Sequence, residues 1–277
     1  MKEKVNIAGV EFDAVRYIDV LTAVEVFVNQ GHQKHMIVTP NPEMVVYSQK
    51  HEDFRKILNS ASLAVPDGIG ILWAAHYLSL PRSKSGFGGI IQVIGSLFQV
   101  FFKMKAIYRV LPARVTGADL LFKIVEESQK KGWRIYLLGA APGIAGIAID
   151  RLCKKYPKAV FSGSFAGTPA ETHEDELCER INLAEPDILF VAYGSPAQEE
   201  WIHRNLHKFS SVKVAIGVGG AIDFAAGKAK RAPKLLRSLG LEWFWRLITQ
   251  PRRFKRIWNA TFVFVKLIFR LKRGIDS

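Results

Sequence analysis

The chain has 277 residues, 49% hydrophobic and 11% aromatic, and this composition excludes an extended disordered protein and is sufficient for a full core. Its two cysteines, Cys153 and Cys178, are too few for a disulfide scaffold and lack metal-site spacing, so we expect a reducing compartment. The net charge of +14 is uneven, because residues 228–277 contain fourteen Lys and Arg against two acidic residues, a balance of +12. The rest of the chain carries only +2, and the basic end indicates an anionic partner, either nucleic acid or a membrane. Residues 1–16 contain no apolar run, so we predict no secretory signal.

Short apolar runs alternate with segments of helical periodicity along most of the chain. The predicted strands are His35–Thr39, Leu63–Val65, Arg134–Leu138, Val160–Ser164, Ile188–Ala192 and Lys213–Gly217. The predicted helices are Val20–Asn29, Glu43–Leu58, Ile69–Leu78, Asp119–Lys131, Ile144–Lys155, Glu171–Leu183 and Ala197–Leu206. This alternation predicts an α/β fold with a largely parallel, Rossmann-like sheet flanked by helices, and a helical C-terminal appendage. We predict a catalytic domain at 1–227 and a basic, aromatic helical tail at 228–277.

One segment departs from this alternation. Ser85–Phe102 contains no charged residue and is flanked on both sides by lysines and arginines. Its length is at the lower limit for a transmembrane helix, but its four glycines and two glutamines argue against one. We predict a helical hairpin or lid in the membrane interface, within an insertion at about 83–110, and the alternative is a buried core helix.

The loops that follow the predicted strands contain the candidate chemistry, because ligands of open parallel sheets bind at the carboxyl ends of the strands. Thr39 and Asn41, in the motif TPNPE, are placed to contact a phosphate or a sugar hydroxyl. The alternative for Asn41 is a helix cap. Asp67, in PDGIG, is the only carboxylate between Asp53 and Asp119, and it is either a general base or a cap for the next helix.

The later loops offer basic and glycine-rich binding positions. Arg114, in RVTGAD, suits a diphosphate, and the alternative is a surface salt bridge. The loop that begins at Gly139 resembles a phosphate-binding glycine loop, but its spacing differs from that of the dinucleotide fingerprint. A nucleotide-binding oxidoreductase of Rossmann type therefore remains only as an alternative. Further candidates in the loops after the strands at 188–192 and 213–217 are Gly194, Gln198, Gly219 and Asp223.

Motifs of several other enzyme classes are missing from the sequence. It contains no HExxH motif, no DxD-type pair and no histidine–cysteine cluster, so we predict a metal-independent protein without a cofactor. The turn Gly194-Ser195-Pro196 lacks the second glycine of a nucleophile elbow, which argues against a hydrolase triad.

Taken together, these loops resemble the WecG/TagA/CpsF glycosyltransferases. The matching motifs occur in the family's order and are TPNPE at 39–43, PDGIG at 66–70, RVTGADL at 114–120, LLGAAPG at 137–143, AYGSPAQEEWI at 192–202 and GVGGAIDFAAGKAKRAPKLLRSLGLEW at 217–243. Two features depart from the family: the insertion at about 83–110, and Pro66, where the family commonly has alanine. The insertion leaves Asp67 and Arg114 unchanged, so it concerns the handling of the acceptor rather than the reaction.

The resemblance implies an inverting, metal-independent transfer from a UDP-sugar, often N-acetylmannosamine or its uronate. The implied acceptor is a saccharide on undecaprenyl diphosphate, typically N-acetylglucosamine, in the synthesis of a cell-surface polysaccharide or teichoic acid. Asp67 would be the catalytic base, with Thr39 and Asn41 lining the same pocket. Arg114 and Gln198 would hold donor or acceptor groups. The family's C-terminal segment completes the site, so the arginines expected to reach the donor diphosphate are Arg231, Arg237 and Arg252.

The tail alternates basic residues with Trp, Phe and Ile, which is typical of an anionic membrane surface and not of a nucleic-acid site. We therefore predict a peripheral protein on the cytoplasmic face of the cell membrane that does not bind nucleic acid. Core packing or dimerisation by the tail is the alternative, and a homo-oligomer is compatible with these expectations. A non-catalytic membrane scaffold, in which Asp67 only caps a helix, is the remaining alternative for function.

Overall fold

The computed structural model describes residues 3–31, 33–238, 240–249 and 254–275. The strands are β1 (Lys4–Ile7), β2 (Val10–Asp13), β3 (His35–Val38), β4 (Leu63–Ala64), β5 (Arg134–Gly139), β6 (Val160–Phe165), β7 (Ile188–Ala192) and β8 (Val214–Gly217). The first helices are α1 (Tyr17–Asn29), α2 (Pro42–Ser48), α3 (Glu52–Ser60), α4 (Ile69–Ser79), α5 (Gly86–Phe102), α6 (Met104–Ile107) and α7 (Gly117–Lys131). They are followed by α8 (Ile144–Lys155), α9 (Glu174–Ala184), α10 (Ala197–Asn205), α11 (Ala221–Ala225), α12 (Lys234–Ser238), α13 (Glu242–Thr249), α14 (Phe254–Trp258) and α15 (Phe264–Arg273).

Six parallel strands form the central sheet in the order β4-β3-β8-β7-β5-β6. The central strands are apolar because both faces of a parallel sheet are covered by helices. Alternate residues of β7 enter opposite apolar clusters: Leu189 and Val191 join the cluster under α4 and α10, and Ile188 and Phe190 join the cluster under α7 and α8. The predicted α/β fold with a largely parallel sheet is confirmed.

All six predicted strands are present, but one predicted helix is divided in two and one hairpin was not predicted. The helix predicted at Glu43–Leu58 is two helices, because the chain turns at His51 (φ −129°, ψ 84°). The turn lets apolar residues of both α2 and α3 reach the core. The hairpin β1–β2 was not predicted. Its register pairs Ile7 with Val10 around Ala8 and Gly9, and both of these turn residues have positive φ, as in a two-residue hairpin loop.

The uncharged segment forms one helix, α5, and not the predicted helical hairpin, and the short helix α6 follows it. Ser85 caps α5 by accepting a hydrogen bond from the Gly88 amide (2.9 Å), and the helix ends at Lys103. α5 packs against α4, α6 and α15, and most of one face remains exposed. Among the helices described here, none has both the length and the apolar character to cross a membrane.

The C-terminal helices fold back over the sheet's flanking helices. Arg256 of α14 pairs with Glu43 of α2 at 2.8 Å. α15 contacts α2, α4 and α5, and its Phe264 and Ile268 are fully buried in the same apolar cluster as Trp73. This end of the predicted tail is therefore part of the core, and the proposed division at residue 227 remains a prediction.

Candidate active site

Because all six strands of the central sheet run parallel, the loops at their carboxyl ends meet at one edge. In sheet order, the loops after β4, β3, β8 and β7 contain Asp67, Thr39, Gly219 and Gly194, and the next strand, β5, ends at Gly139. The sheet thus brings most of the predicted site residues to a single edge, as an open α/β site requires.

Asp67 follows β4 in a loop that is fixed to its neighbours by backbone hydrogen bonds. Its amide donates to the Pro40 carbonyl (3.0 Å), and the Val115 amide donates to the Pro66 carbonyl (2.9 Å). The Asp67 residue is half-buried. Gly68, with φ 96°, occupies the N-cap position of α4, one residue after Asp67. Asp67 is therefore held at the edge between the TPNPE and RVTGAD loops and does not itself occupy that capping position.

Thr39 and Asn41 both have structural contacts in the loop after β3. The Thr39 hydroxyl is buried and donates to the Gly217 carbonyl (3.3 Å), which joins the β3 and β8 loops. Asn41 caps α2, since its Oδ1 accepts from the Met44 amide at 3.1 Å. The capping role of Asn41 is thus confirmed, and its contact with substrate remains a prediction.

Gly117 is where the RVTGAD loop comes closest to the neighbouring strands' ends. A Cβ at this position would lie 3.3 Å from Val218 Cα and 3.4 Å from Thr39 Oγ1. Only glycine allows such an approach without displacing its neighbours. The loops that contain Thr39, Arg114 and Gly219 are consequently packed together.

A cluster of charges surrounds Asp119 beside this loop. Arg231 donates to both carboxylate oxygens of Asp119, at 2.5 and 3.1 Å, and Arg237 Nη1 lies 3.9 Å from it. Arg114 Nη2 donates to the Arg237 carbonyl (2.8 Å). Burial disfavours the ionised form of Asp119, but Arg231, Thr116 and Arg237 hold the pKa of its carboxyl below its usual value. With three arginines and one carboxylate, the cluster has a net charge of +2.

The three arginines of this cluster were predicted to bind substrate, and the structure places them together. It also shows that the Arg231 guanidinium already has a carboxylate partner within the protein. Arg252, the fourth predicted arginine, lies outside the described residues. The contacts fix the C-terminal segment against α7, next to the edge where Asp67 lies.

Tyr17 belongs to the same cluster and was not predicted. Its hydroxyl accepts a hydrogen bond from the Thr116 amide (3.0 Å) and donates to Asp119 (3.4 Å). Burial raises the pKa of Tyr17 to about 12, and the charges of Asp119 and Asp67 act in the same direction. Sequence offers no signal for this residue, because it lies 99 positions before Thr116.

Gln198 joins the loops after β7 and β8. Its Oε1 accepts hydrogen bonds from the amides of Gly194 (3.2 Å) and Gly219 (2.9 Å), and its Nε2 donates to Glu199 Oε1 (2.6 Å). The Gln198 side chain is buried. Gln198 was predicted to hold substrate groups, and the contacts in the structure give it a role in fixing the two glycine loops.

Glu199 is a fully buried carboxylate directly behind these loops. Burial raises the pKa of Glu199 to about 7, against the opposing effect of hydrogen bonds from Gln198 and Ser195. None of the residues that the structure describes forms a hydrogen bond with its Oε2. The sequence places Glu199 near the sheet edge without distinguishing it from Glu200, which follows it and is only half-buried.

The predicted glycines have two kinds of surroundings. Gly139 has φ 102°, and a Cβ there would lie 2.8 Å from the Ala192 carbonyl carbon, so its role is close packing of β5 against β7. Gly194 and Gly219 also have positive φ, but a Cβ on either would meet no atom of the described residues within 4 Å. These two glycines therefore border open space at the edge of the sheet. Asp223 lies half-exposed in the first turn of α11.

Within the part of the chain that the structure describes, no three His, Cys, Asp or Glu side chains are grouped so that they could hold a metal ion. The prediction of a metal-independent protein stays a prediction.

Comparison with known proteins gives a match over nearly the whole chain. The model of the glycosyl transferase WecG/TagA/CpsF family matches residues 5–100 and 95–276. These segments include every residue predicted for the site. A relative from Staphylococcus aureus strain MRSA252 is 31% identical over 275 residues, covering 99% of this chain and 95% of the relative. One from strain NCTC 8325 is 30% identical with the same coverage. Both are named N-acetylglucosaminyldiphosphoundecaprenol N-acetyl-beta-D-mannosaminyltransferase.

Proposed function

Because the chain belongs to the WecG/TagA/CpsF family and is a glycosyltransferase, we propose that it transfers N-acetylmannosamine from UDP to N-acetylglucosaminyl-diphosphoundecaprenol. The names of the Staphylococcus aureus relatives support this donor sugar and this acceptor. The observation that carries the proposal is the position of Asp67, a carboxylate at the sheet edge between the loops that also contain Thr39 and Arg114. The oxidoreductase and scaffold alternatives have no comparable support.

In the proposed reaction, Asp67 is the general base. The acceptor hydroxyl oxygen attacks the anomeric carbon of the donor sugar, and its proton passes to the Asp67 carboxylate. The bond from the anomeric carbon to the UDP oxygen breaks on the opposite face, and UDP departs with the bonding electrons. One base on one face and a leaving group on the other give inversion, which agrees with the β linkage in the relatives' name.

The leaving UDP needs positive charge and backbone donors near its diphosphate. Arg114, Arg231 and Arg237 supply a net positive cluster beside the edge. Gly194 and Gly219 border open space there and allow a phosphate to approach the backbone closely. We assign the donor diphosphate to the space between this cluster and the two glycine loops.

The acceptor's polyprenyl chain requires the protein to work at a membrane surface, and we propose peripheral attachment to the cytoplasmic face. The C-terminal helices supply exposed aromatic side chains, including Trp243, Phe254 and Trp258, among the chain's densest basic residues. Each basic residue near an anionic leaflet contributes on the order of 1 kcal/mol. Bulky apolar side chains between them suit the interface better than they suit nucleic acid.

The reaction is tested by incubating the purified full chain with a panel of UDP-sugars and the lipid-diphosphate acceptor, and analysing products by mass spectrometry. We expect the acceptor to gain the mass of one N-acetylhexosamine with UDP-N-acetylmannosamine and little product with UDP-glucose. A protein that transfers no sugar from any UDP donor would contradict the proposal.

The base is tested by Asp67→Asn, which removes the proton acceptor and keeps the side chain's size. We expect kcat to fall by about 10²–10⁴-fold with an unchanged thermal unfolding midpoint. Asp53→Asn is the matched control, since Asp53 is an exposed carboxylate on α3, and it should retain full activity. Equal activity of the Asp67 and Asp53 variants would exclude Asp67 as the base.

A further inference from the structure

The helix α5 exposes an apolar stripe to solvent. The exposed side chains lie at helical spacing and are Phe87, Ile90, Ile91, Ile94, Phe98 and Phe102. Phe87, Phe98 and Phe102 are 75%, 60% and 80% exposed. A soluble helix normally turns its polar residues to water, and a continuous apolar surface of this kind marks a contact with another apolar phase.

The polar side chains of α5 point the other way, into the protein. Gln92 donates to the Pro81 carbonyl (2.8 Å), and Ser96 Oγ accepts from the Trp73 indole (3.0 Å). Gln99 Oε1 lies 2.8 Å from His76 Nε2. All three polar residues of the helix are therefore bonded to α4 or to the chain that follows α4.

The charges lie only at the two ends of the stripe, and they are all positive. Between Asp67 and Asp119 the chain has six Lys and Arg residues and no acidic residue. Lys84 stands before α5, and Lys103 and Lys105 stand after it, all exposed. Such ends repel the same ends of a second copy of this chain and attract anionic headgroups.

We infer that the exposed face of α5 inserts into the apolar layer of an anionic lipid bilayer, with Lys84, Lys103 and Lys105 at the level of the headgroups. The inference rests on the proposed action on a membrane-bound acceptor and adds a second lipid contact to that of the C-terminal helices.

The hydrogen bonds to α4 give the contact a consequence for the site. α4 begins two residues after Asp67 and carries both Trp73 and His76, which bond to α5. A bilayer that holds α5 therefore also fixes the height of Asp67 above the membrane. The base is placed to meet a sugar that is attached to the membrane through a diphosphate.

The test is co-sedimentation of the full chain with vesicles of equal parts phosphatidylglycerol and phosphatidylcholine. We expect the double variant Ile94→Glu, Phe98→Glu to bind these vesicles on the order of tenfold or more weakly, because two apolar side chains no longer enter the lipid. Leu183→Glu is the matched control, since Leu183 is 80% exposed on α9, and it should bind like the wild type. Equal vesicle binding by wild type and double variant would overturn the inference.

A second pair of substitutions covers the case in which the glutamates disturb folding. Lys103→Gln with Lys105→Gln lies outside α5 and should weaken binding to the anionic vesicles on the order of tenfold. No change in that binding contradicts the inference. A double glutamate variant that abolishes self-association in analytical ultracentrifugation but keeps vesicle binding would assign the stripe to a second copy of the chain.

The failure of this inference is distinct from the failure of the proposed function. With an acceptor whose lipid is short and water-soluble, the double variant should keep the wild-type kcat, because α5 contains no residue of the proposed reaction. Wild-type protein that cannot use this acceptor contradicts the proposed function, whereas vesicle binding alone decides the role of α5.

Discussion

At the scale of single residues, Glu199 makes the stability of the protein depend on pH. Burial raises its pKa from the ordinary 4.5 to about 7, so the native state holds a proton on Glu199 that the unfolded chain loses first. A group with a raised folded-state pKa contributes stability below its unfolded pKa and loses that contribution as the pH rises through the folded value. The contribution of Glu199 is therefore complete below about pH 4.5 and lost through about pH 7.

We expect Glu199→Gln, which keeps a neutral side chain at every pH, to remove this dependence. The variant should gain stability relative to the wild type as the pH rises from 5 to 8.5, by on the order of 3 kcal/mol at most. Urea unfolding at several pH values measures the difference. Glu126→Gln, at an exposed position on α7, is the control and should follow the wild-type curve. Parallel curves for Glu199→Gln and wild type would contradict a buried, protonated Glu199.

Much of the candidate site could be predicted at this scale, because the loops that follow parallel strands all lie at the same edge of the sheet. Asp67 and Thr39 could be placed from strand ends and glycines alone. Tyr17 and Glu199 could not, since their contacts depend on packing between distant segments. The predicted ligand role of Gln198 also needs qualification, because its amide oxygen already accepts two loop N–H groups.

At the scale of elements, the start of α2 depends on one side chain. Asn41 accepts the Met44 amide, and Pro42 occupies the first turn. We expect Asn41→Ala to lower the free energy of unfolding by about 1 kcal/mol, because it leaves that amide without its cap. Asn41→Asp keeps an accepting oxygen and should remain near wild-type stability. Chemical denaturation measures both, and an Asn41→Ala variant as stable as the wild type would contradict the cap.

The orientation of α5 shows where prediction from periodicity ends. Ser85–Phe102 is apolar on nearly all sides in the sequence, so the pattern could not indicate which face meets the protein. In the structure, the face of α5 that packs against the protein is the one with its three polar residues, Gln92, Ser96 and Gln99. Their hydrogen-bond partners lie on or just after α4. The short strands β1 (KVNI) and β2 (VEFD) were missed because they mix charged and polar residues with apolar ones, whereas the equally short β3 and β8 are mainly apolar runs.

At the scale of the whole molecule, α15 belongs to the core. Phe264 is 1% exposed and contacts Trp73 edge-on, with ring centroids 6.4 Å apart, whereas Phe262, two residues earlier, is 62% exposed. We expect Phe264→Ala to cost about 3–5 kcal/mol of stability, because it leaves a cavity against α4. Phe262→Ala is the matched control and should cost less than about 1 kcal/mol.

Thermal and urea unfolding of the two variants measure this contrast. We also expect wild-type unfolding to follow one transition, since α15 and the sheet share an apolar cluster. Equal stability of the Phe262 and Phe264 variants would show that the C-terminal helices form a separate appendage, as the charge distribution in the sequence suggested. Charge and aromatic content cannot separate exposed from buried side chains, because α15 has apolar residues on its buried face, Phe264 and Ile268, and also an exposed apolar residue, Leu271.

The anchoring of α15 has a consequence for biosynthesis. Lys272 donates to the carbonyls of Tyr77 and Leu80 at the end of α4, residues translated almost two hundred codons earlier. The ribosome makes the sheet and the segment with Asp67 first, yet the cover of α4 emerges last. A nascent chain can therefore assemble the central sheet before α15 has emerged. The cover of α4 forms only after that, and translation products that stop before α15 lack it.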